Sequence, residues 1–194
     1  MKFLLISILI ISNIFAQSGF TLIGGYNMSK AMYNDDDVAD NVDVDSKGAI
    51  NIGLETRNGD LILGGSFLQR GSEYKFSLMG YNLEGHDTYN YAAVHLLYPT
   101  SLGDGIEGFG GIQAGLPLGG EAYVESGANN ETTDIDADEL SFDAGLLVGA
   151  NLMINEQFGL RASYYMGLTD VADGVDEDEN YKNNTLSISI LMNF

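Results

Sequence analysis

Apolar and polar residues alternate along most of this chain. Phe20, Leu22, Tyr26 and Met28 share one parity, with Thr21, Asn27 and Ser29 on the other. Ile50, Ile52 and Leu54 alternate with Asn51, Gly53 and Glu55. Leu140, Phe142, Ala144, Leu146, Val148, Ala150 and Leu152 hold every second position of their segment, and Phe158, Leu160, Ala162, Tyr164, Met166 and Leu168 do the same in the next. A period of two held this long predicts strands with one apolar and one polar face. Eight strands follow, over 19–30, 47–57, 61–71, 88–98, 106–118, 140–153, 158–169 and 184–194. No stretch of the chain carries a convincing helical period.

The connections decide how these strands are arranged. Long ones (31–46, 72–87, 119–139, 170–183) alternate with short ones. An antiparallel meander with long loops at one end and tight turns at the other gives this order, with both termini at the turn end. Transmembrane barrels have this asymmetry. The expected fold is therefore an all-β, eight-stranded antiparallel up-and-down transmembrane β-barrel. Asn58-Gly59 reads as a two-residue hairpin turn, which would pair Arg57 with Asp60 and Glu55 with Ile62. That register puts Ile50, Ile52 and Leu54 on the same face as Leu61, Leu63 and Phe67.

Residues 1–16, with Lys2, an apolar run from Phe3 to Ile11 and small Ala16, read as a secretory signal peptide. Residues 17–194 are then one exported barrel domain in the outer membrane of a Gram-negative-type bacterium. The chain has no cysteine, which excludes disulfides, thiolate metal sites and a cysteine nucleophile. Lys and Arg total 8 against 28 Asp and Glu, and the net charge is -20. Such a chain has no cationic footprint for nucleic acid. Most of the acids fall in the long connections, Asp60, Asp104 and Glu156 fall in short ones, and only Glu55, Glu107 and Asp143 lie within strands. A barrel must keep charge off its lipid-facing parity, and this one does.

The polar parity directs Glu55, Arg57, Glu107, Gln113, Asp143 and Arg161 into the lumen. Eight strands leave an interior that side chains can fill. Charges there need partners, so Arg161 is expected beside Glu107 and Glu55 near the turn end, with Asp143 near the opposite end. A plugged lumen implies a structural or surface-interaction component rather than an enzyme. The alternative is a narrow channel for ions or small solutes, and a third reading is a rim hydrolase or acyltransferase built from His86-Asp87 and Ser77 in the second long loop. His95 is expected to hydrogen-bond inside the lumen. The run Asp134-Ile-Asp136-Ala-Asp138 offers three carboxylates on one side of an extended chain, a donor set for Ca2+ or Mg2+. Millimolar calcium would then order the loop 119–139. No other cofactor is expected. Phe20, Tyr26, Tyr98, Phe142, Phe158, Tyr164 and Phe194 are the candidates for the aromatic girdles facing lipid.

The last segment places Leu186, Ile188, Ile190, Met192 and Phe194 at every second position up to a terminal aromatic. This resembles the last-strand signal by which outer-membrane barrels engage their assembly machinery. Phe20-Thr-Leu-Ile-Gly-Gly-Tyr-Asn-Met-Ser29, Gln69-Arg-Gly-Ser72, Gly108-Phe-Gly-Gly-Ile-Gln-Ala-Gly115 and Leu160-Arg-Ala-Ser-Tyr-Tyr-Met-Gly-Leu-Thr-Asp170 extend the likeness over nearly the whole exported chain. Together they resemble the outer-membrane protein β-barrel domain family, which includes the PorT-like proteins. Ala93-Val94-His95 departs from the proline usual in the family's fourth strand. The resemblance implies an eight-stranded barrel in the outer membrane; outer-membrane lipids and lipopolysaccharide are its expected partners, the latter bridged to the acidic loops through shared divalent cations. Fractionation should recover the chain with membranes, and its gel mobility should change on boiling. Extraction by urea as a periplasmic protein would contradict the assignment.

Overall fold

The computed structural model describes residues 19–33, 43–78, 81–126, 129–171 and 181–194, so the expected signal peptide lies outside the described residues. The strands are β1 (Phe20–Tyr33), β2 (Asp43–Asn58), β3 (Leu61–Arg70), β4 (Ser72–Leu78), β5 (Tyr81–Gly103), β6 (Ile106–Ser126), β7 (Asn129–Ile135), β8 (Asp143–Met153), β9 (Phe158–Gly167) and β10 (Tyr181–Asn193). One turn of 3-10 helix, Ala137–Glu139, separates β7 from β8. Every pairing is antiparallel. The ring runs β1, β2, β3, β5, β6, β8, β9, β10 and back to β1, so each of these eight strands has a neighbour on both sides. The expected barrel is present.

β4 continues β3 past Gly71 and keeps both of its neighbours, β2 and β5. β7 pairs with β6 alone. The second and third long connections are therefore largely strand, not the loops expected from sequence. β7 shows no alternation because it stands clear of the barrel with solvent on both faces, while β4 does alternate, with Tyr74, Phe76 and Leu78 on one parity and Glu73, Lys75 and Ser77 on the other.

The parities come out as expected. Ile50, Ile52, Leu54, Val94, Leu146, Val148, Leu160, Leu186, Ile188 and Ile190 are exposed, because lipid is their solvent. All seven girdle candidates are exposed too. Phe20 and Phe194 stack at the turn end with ring centroids 4.8 Å apart, and Phe158 lies opposite Met192 in the register. Leu140 is the exception. It precedes β8 and is buried in the opposite mouth of the barrel rather than facing lipid.

The first hairpin differs by two residues from its expected register. Asn58 pairs with Leu61, Arg57 with Ile62 and Glu55 with Gly64, so the turn is Gly59-Asp60 rather than Asn58-Gly59. Gly59 sits at φ 61°, the left-handed conformation that a tight hairpin needs at its first turn residue. A shift of two leaves every face unchanged, so the expected facing of Ile50, Ile52 and Leu54 with Leu61 and Phe67 still holds.

A second glycine governs packing inside the wall. Gly145 on β8 faces the lumen, and a Cβ there would lie 2.7 and 2.8 Å from ring atoms of Tyr165. The missing side chain lets that ring lie against the wall. Gly145→Val should destabilise the barrel by about 1–3 kcal/mol through overpacking. Gly24→Val, on the lipid face with nothing within 4 Å, should change stability by less than about 0.5 kcal/mol. Urea unfolding from vesicles compares the two.

Candidate functional site: the charged lumen

Near the turn end the lumen is built around Glu55 of β2. Arg161 of β9 donates to it through both terminal nitrogens, Nη1 to Oε1 at 2.5 Å and Nη2 to Oε2 at 2.9 Å. His95 of β5 places Nε2 2.6 Å from the same Oε1. The fork geometry of guanidinium against carboxylate makes this a directional pair as well as a neutralising one. Arg161 also donates from Nε to Asn151 Oδ1 at 2.8 Å and lies over the Phe109 ring, 4.7 Å from its centroid. The expected partnership of Arg161 with Glu55 is present, and His95 is the lumen hydrogen-bonder it was expected to be.

Glu107 differs from expectation. It pairs with Arg57, not with Arg161, and reaches Arg161 only through Asn151, whose Nδ2 donates to Glu107 Oε1 at 3.3 Å. Arg57 sits at the mouth with its side chain 52% exposed, so it is not cut off from bulk water. The reason is position: Arg57 lies one pair from the end of β2, where the wall stops. These groups line an open vestibule of about 500 Å³ at the turn end, together with Thr21, Ile106 and Asn193.

Asp143 stands at the other end, as expected, and no part of it touches Arg161. Its partner is Arg70, the last residue of β3, and their side chains are 3% and 0% exposed. Tyr165 donates to Asp143 Oδ1 at 2.5 Å and Asn183 Nδ2 donates to Oδ2 at 2.8 Å. Arg70 Nη2 in turn donates to Gln113 Oε1 at 2.6 Å, and its Cζ lies 3.6 Å from the Tyr165 ring centroid. Five strands thus meet across one section of the lumen. Sequence reasoning missed Arg70, though parity carried the signal: it shares a face with Ile62 and Leu68.

A second polar set was also missed. Asn51 donates to Asn27 Oδ1 at 2.6 Å, Ser187 to the same oxygen at 2.7 Å, and Thr185 to Ser29 at 3.1 Å. These residues lie along the inner face of the β1–β10 closure. A void of about 60 Å³ separates them from the charged groups. Leu68, Tyr89, Tyr91, Ala93, Leu140 and Val171 form a buried apolar cluster around the far end of β3. Tyr181 donates to Tyr89, and Tyr89 to Asp87. Backbone bonds from Ser141 to Val171 and from Val171 to Tyr181 hold the lid segments in place.

The other candidate chemistry is dispersed. His86 lies in strand β5 rather than in a loop, opposite Glu73 and stacked on Tyr123 at 4.9 Å. Burial, and then the charge of Lys47, hold its imidazole below the usual histidine range. Ser77 pairs with Asn82, four positions along from His86, or about 13 Å at 3.3 Å per residue. The two do not form a nucleophile–base pair. Asp134 is the next-to-last residue of β7, opposite Glu121, while Asp136 precedes the 3-10 turn that contains Asp138. Asp136 and Glu139 form a capping box there, which turns the chain out of the extended form the expected cation site requires. Among the described residues no three metal-ligating side chains come together.

Comparison with known proteins agrees with this architecture. The family model described as outer membrane protein beta-barrel domain matches residues 15–173. Neisserial surface protein A has a similar structure, with a TM-score of 0.55 at 15% identity over 90% of this chain and 97% of that one. Ail of Yersinia pestis, solved in complex with the heparin analogue sucrose octasulfate, superposes with a TM-score of 0.53 at 16% identity, over 92% of this chain and all of the other. No curated protein matches the sequence. At these identities the two structures share a fold with this chain and nothing further. The family match spans most of the wall, and the wall closes as a lipid-exposed ring around a charged interior: the chain belongs to the outer membrane protein β-barrel domain family and resides in the outer membrane.

Proposed function

We propose that this barrel is a closed-lumen surface component, a structural or surface-interaction protein rather than a pore or an enzyme. One observation carries the reading: Arg70, Asp143, Tyr165, Gln113 and Asn183 are joined across the lumen by direct hydrogen bonds. The apolar cluster of Tyr89, Leu140 and Val171 sits above that section. An ion entering from the vestibule would meet a buried, mutually neutralised pair. The acidic face turned outward suits cationic partners and would repel polyanions such as the sulfated ligand of Ail.

The competing reading, a narrow channel, draws on the vestibule and the 60 Å³ void, which lie in series beneath the block. A path would open only if Arg70 left Asp143, and separating a buried pair costs about 3–5 kcal/mol when one charge is left unpaired. Planar-bilayer recording of the wild-type barrel should therefore show no discrete conductance steps. Arg70→Gln and Asp143→Asn should each unfold at lower urea than wild type, and any conductance should appear only in these variants. Steady unitary steps from the wild type would overturn the closed-lumen reading.

A further inference from the structure

The outer wall carries an uneven distribution of cations. β1 and β10 pair in the register Met28↔Leu186, Lys30↔Asn184 and Met32↔Lys182. Met28, Met32 and Leu186 are exposed and Ser29, Ala31, Asn183 and Thr185 are buried, so Lys30, Lys182 and Asn184 stand on the lipid-facing parity. Lys30 and Lys182 are then diagonal neighbours, about 7–8 Å apart at the backbone. Neither makes an ion pair among the described residues. Asn184 stands level with Lys30 in the register, on the same face.

The height of this group is fixed by counting. The stacked Phe20 and Phe194 mark the turn-end interface. Lys30 is ten residues along β1 from Phe20, and Asn184 is ten residues along β10 from Phe194. Ten residues advance about 33 Å along a strand, or about 25 Å across the membrane at a tilt near 40°, which is the height of the apolar band of such barrels. The two lysines therefore stand at the outer-leaflet interface. Below them Met28, Leu186 and Tyr164 form an exposed apolar strip, with Met166 level with Asn184 at its top. Elsewhere the outward cation Lys75 faces Asp43 on one side and Glu84 on the other, and its face of β4–β7 also carries Glu73, Glu121, Glu125 and Asp134.

The geometry points to a binding site for a phosphate-bearing outer-leaflet lipid on the β1–β10 seam, with Lys30 and Lys182 holding the phosphate, Asn184 donating to it, and the strip below receiving the acyl chains. Both halves of an amphiphile are matched: paired ammonium groups at headgroup depth and an apolar track under them. The flexible lysine stems reach the headgroup while lying along the wall. The site stands on the outside of the barrel and is independent of whether the lumen conducts.

The test uses the purified barrel in phosphatidylcholine nanodiscs with and without lipid A, a glycolipid bearing two phosphates. Native mass spectrometry after detergent exchange reads the lipid retained. The wild type should keep lipid A in preference to phosphatidylcholine. Lys30→Gln/Lys182→Gln should retain it roughly 30-fold more weakly, as expected from two cations near an anionic surface, while Lys75→Gln should match the wild type. If the double variant does not assemble, as judged by heat-modifiable mobility, each single variant should lose roughly fivefold. Equal retention by wild type and the lysine variants would overturn the proposal. So would displacement of lipid A by inorganic phosphate at equal concentration, which would mark a free-anion site.

Discussion

A strand inside a bilayer has no water to satisfy its N–H and C=O groups, so each must find a neighbouring strand on both sides. In this chain that requirement comes to rest on one seam, where β10 pairs with β1 along the length of both. Thr21 and Asn193 meet by a side-chain hydrogen bond across 172 residues of sequence. Until the last strand exists the first has an open edge in lipid. The alternating Leu186, Ile188, Ile190, Met192 and Phe194 therefore do two things at once: they complete the ring and present its outer face. The Asn and Ser residues behind them bond inward along the same seam.

Closure also dictates the interior. With lipid outside, the charged positions within the apolar band turn inward, and a charge cut off there from bulk water has to be met by a protein group. Glu55 is met by Arg161 and His95, and Asp143 by Arg70, Tyr165 and Asn183. Arg161 and Arg70 also lie on the aromatic rings of Phe109 and Tyr165. The result is two stacked ionic layers rather than one continuous polar column. The lower layer opens on a vestibule, and the upper one lies under an apolar lid, so the two ends of the lumen differ in character.

Beyond the bilayer the constraints relax. β4, β7 and the far halves of β5 and β6 extend the sheet past the apolar band, and carboxylates accumulate there. Cations are the rarer charge, and the environment sorts them: Arg70 and Arg161 are consumed in the lumen, Lys75 sits between two acids, and Lys30 and Lys182 stand together on the outer wall.

The eight-strand ring, the lipid-facing parity of its strands apart from Leu140, and the inward placement of Glu55, Gln113, Asp143 and Arg161 were legible in the sequence, because lipid on one side of each strand enforces a strict period of two. Strand order placed Arg161 with Glu55 at one end and Asp143 at the other. The period of two could not tell Asn58-Gly59 from Gly59-Asp60, since a slip of two residues preserves every face. Nor could it show β7, where both faces meet water and alternation disappears, whereas the alternation of β4 is present in the sequence. Which charges actually pair was decided by the tertiary structure: Arg70 with Asp143, and Arg57 rather than Arg161 with Glu107. Parity tells which face a side chain takes, but strand stagger and tilt set its height, and two charges pair only where their heights agree.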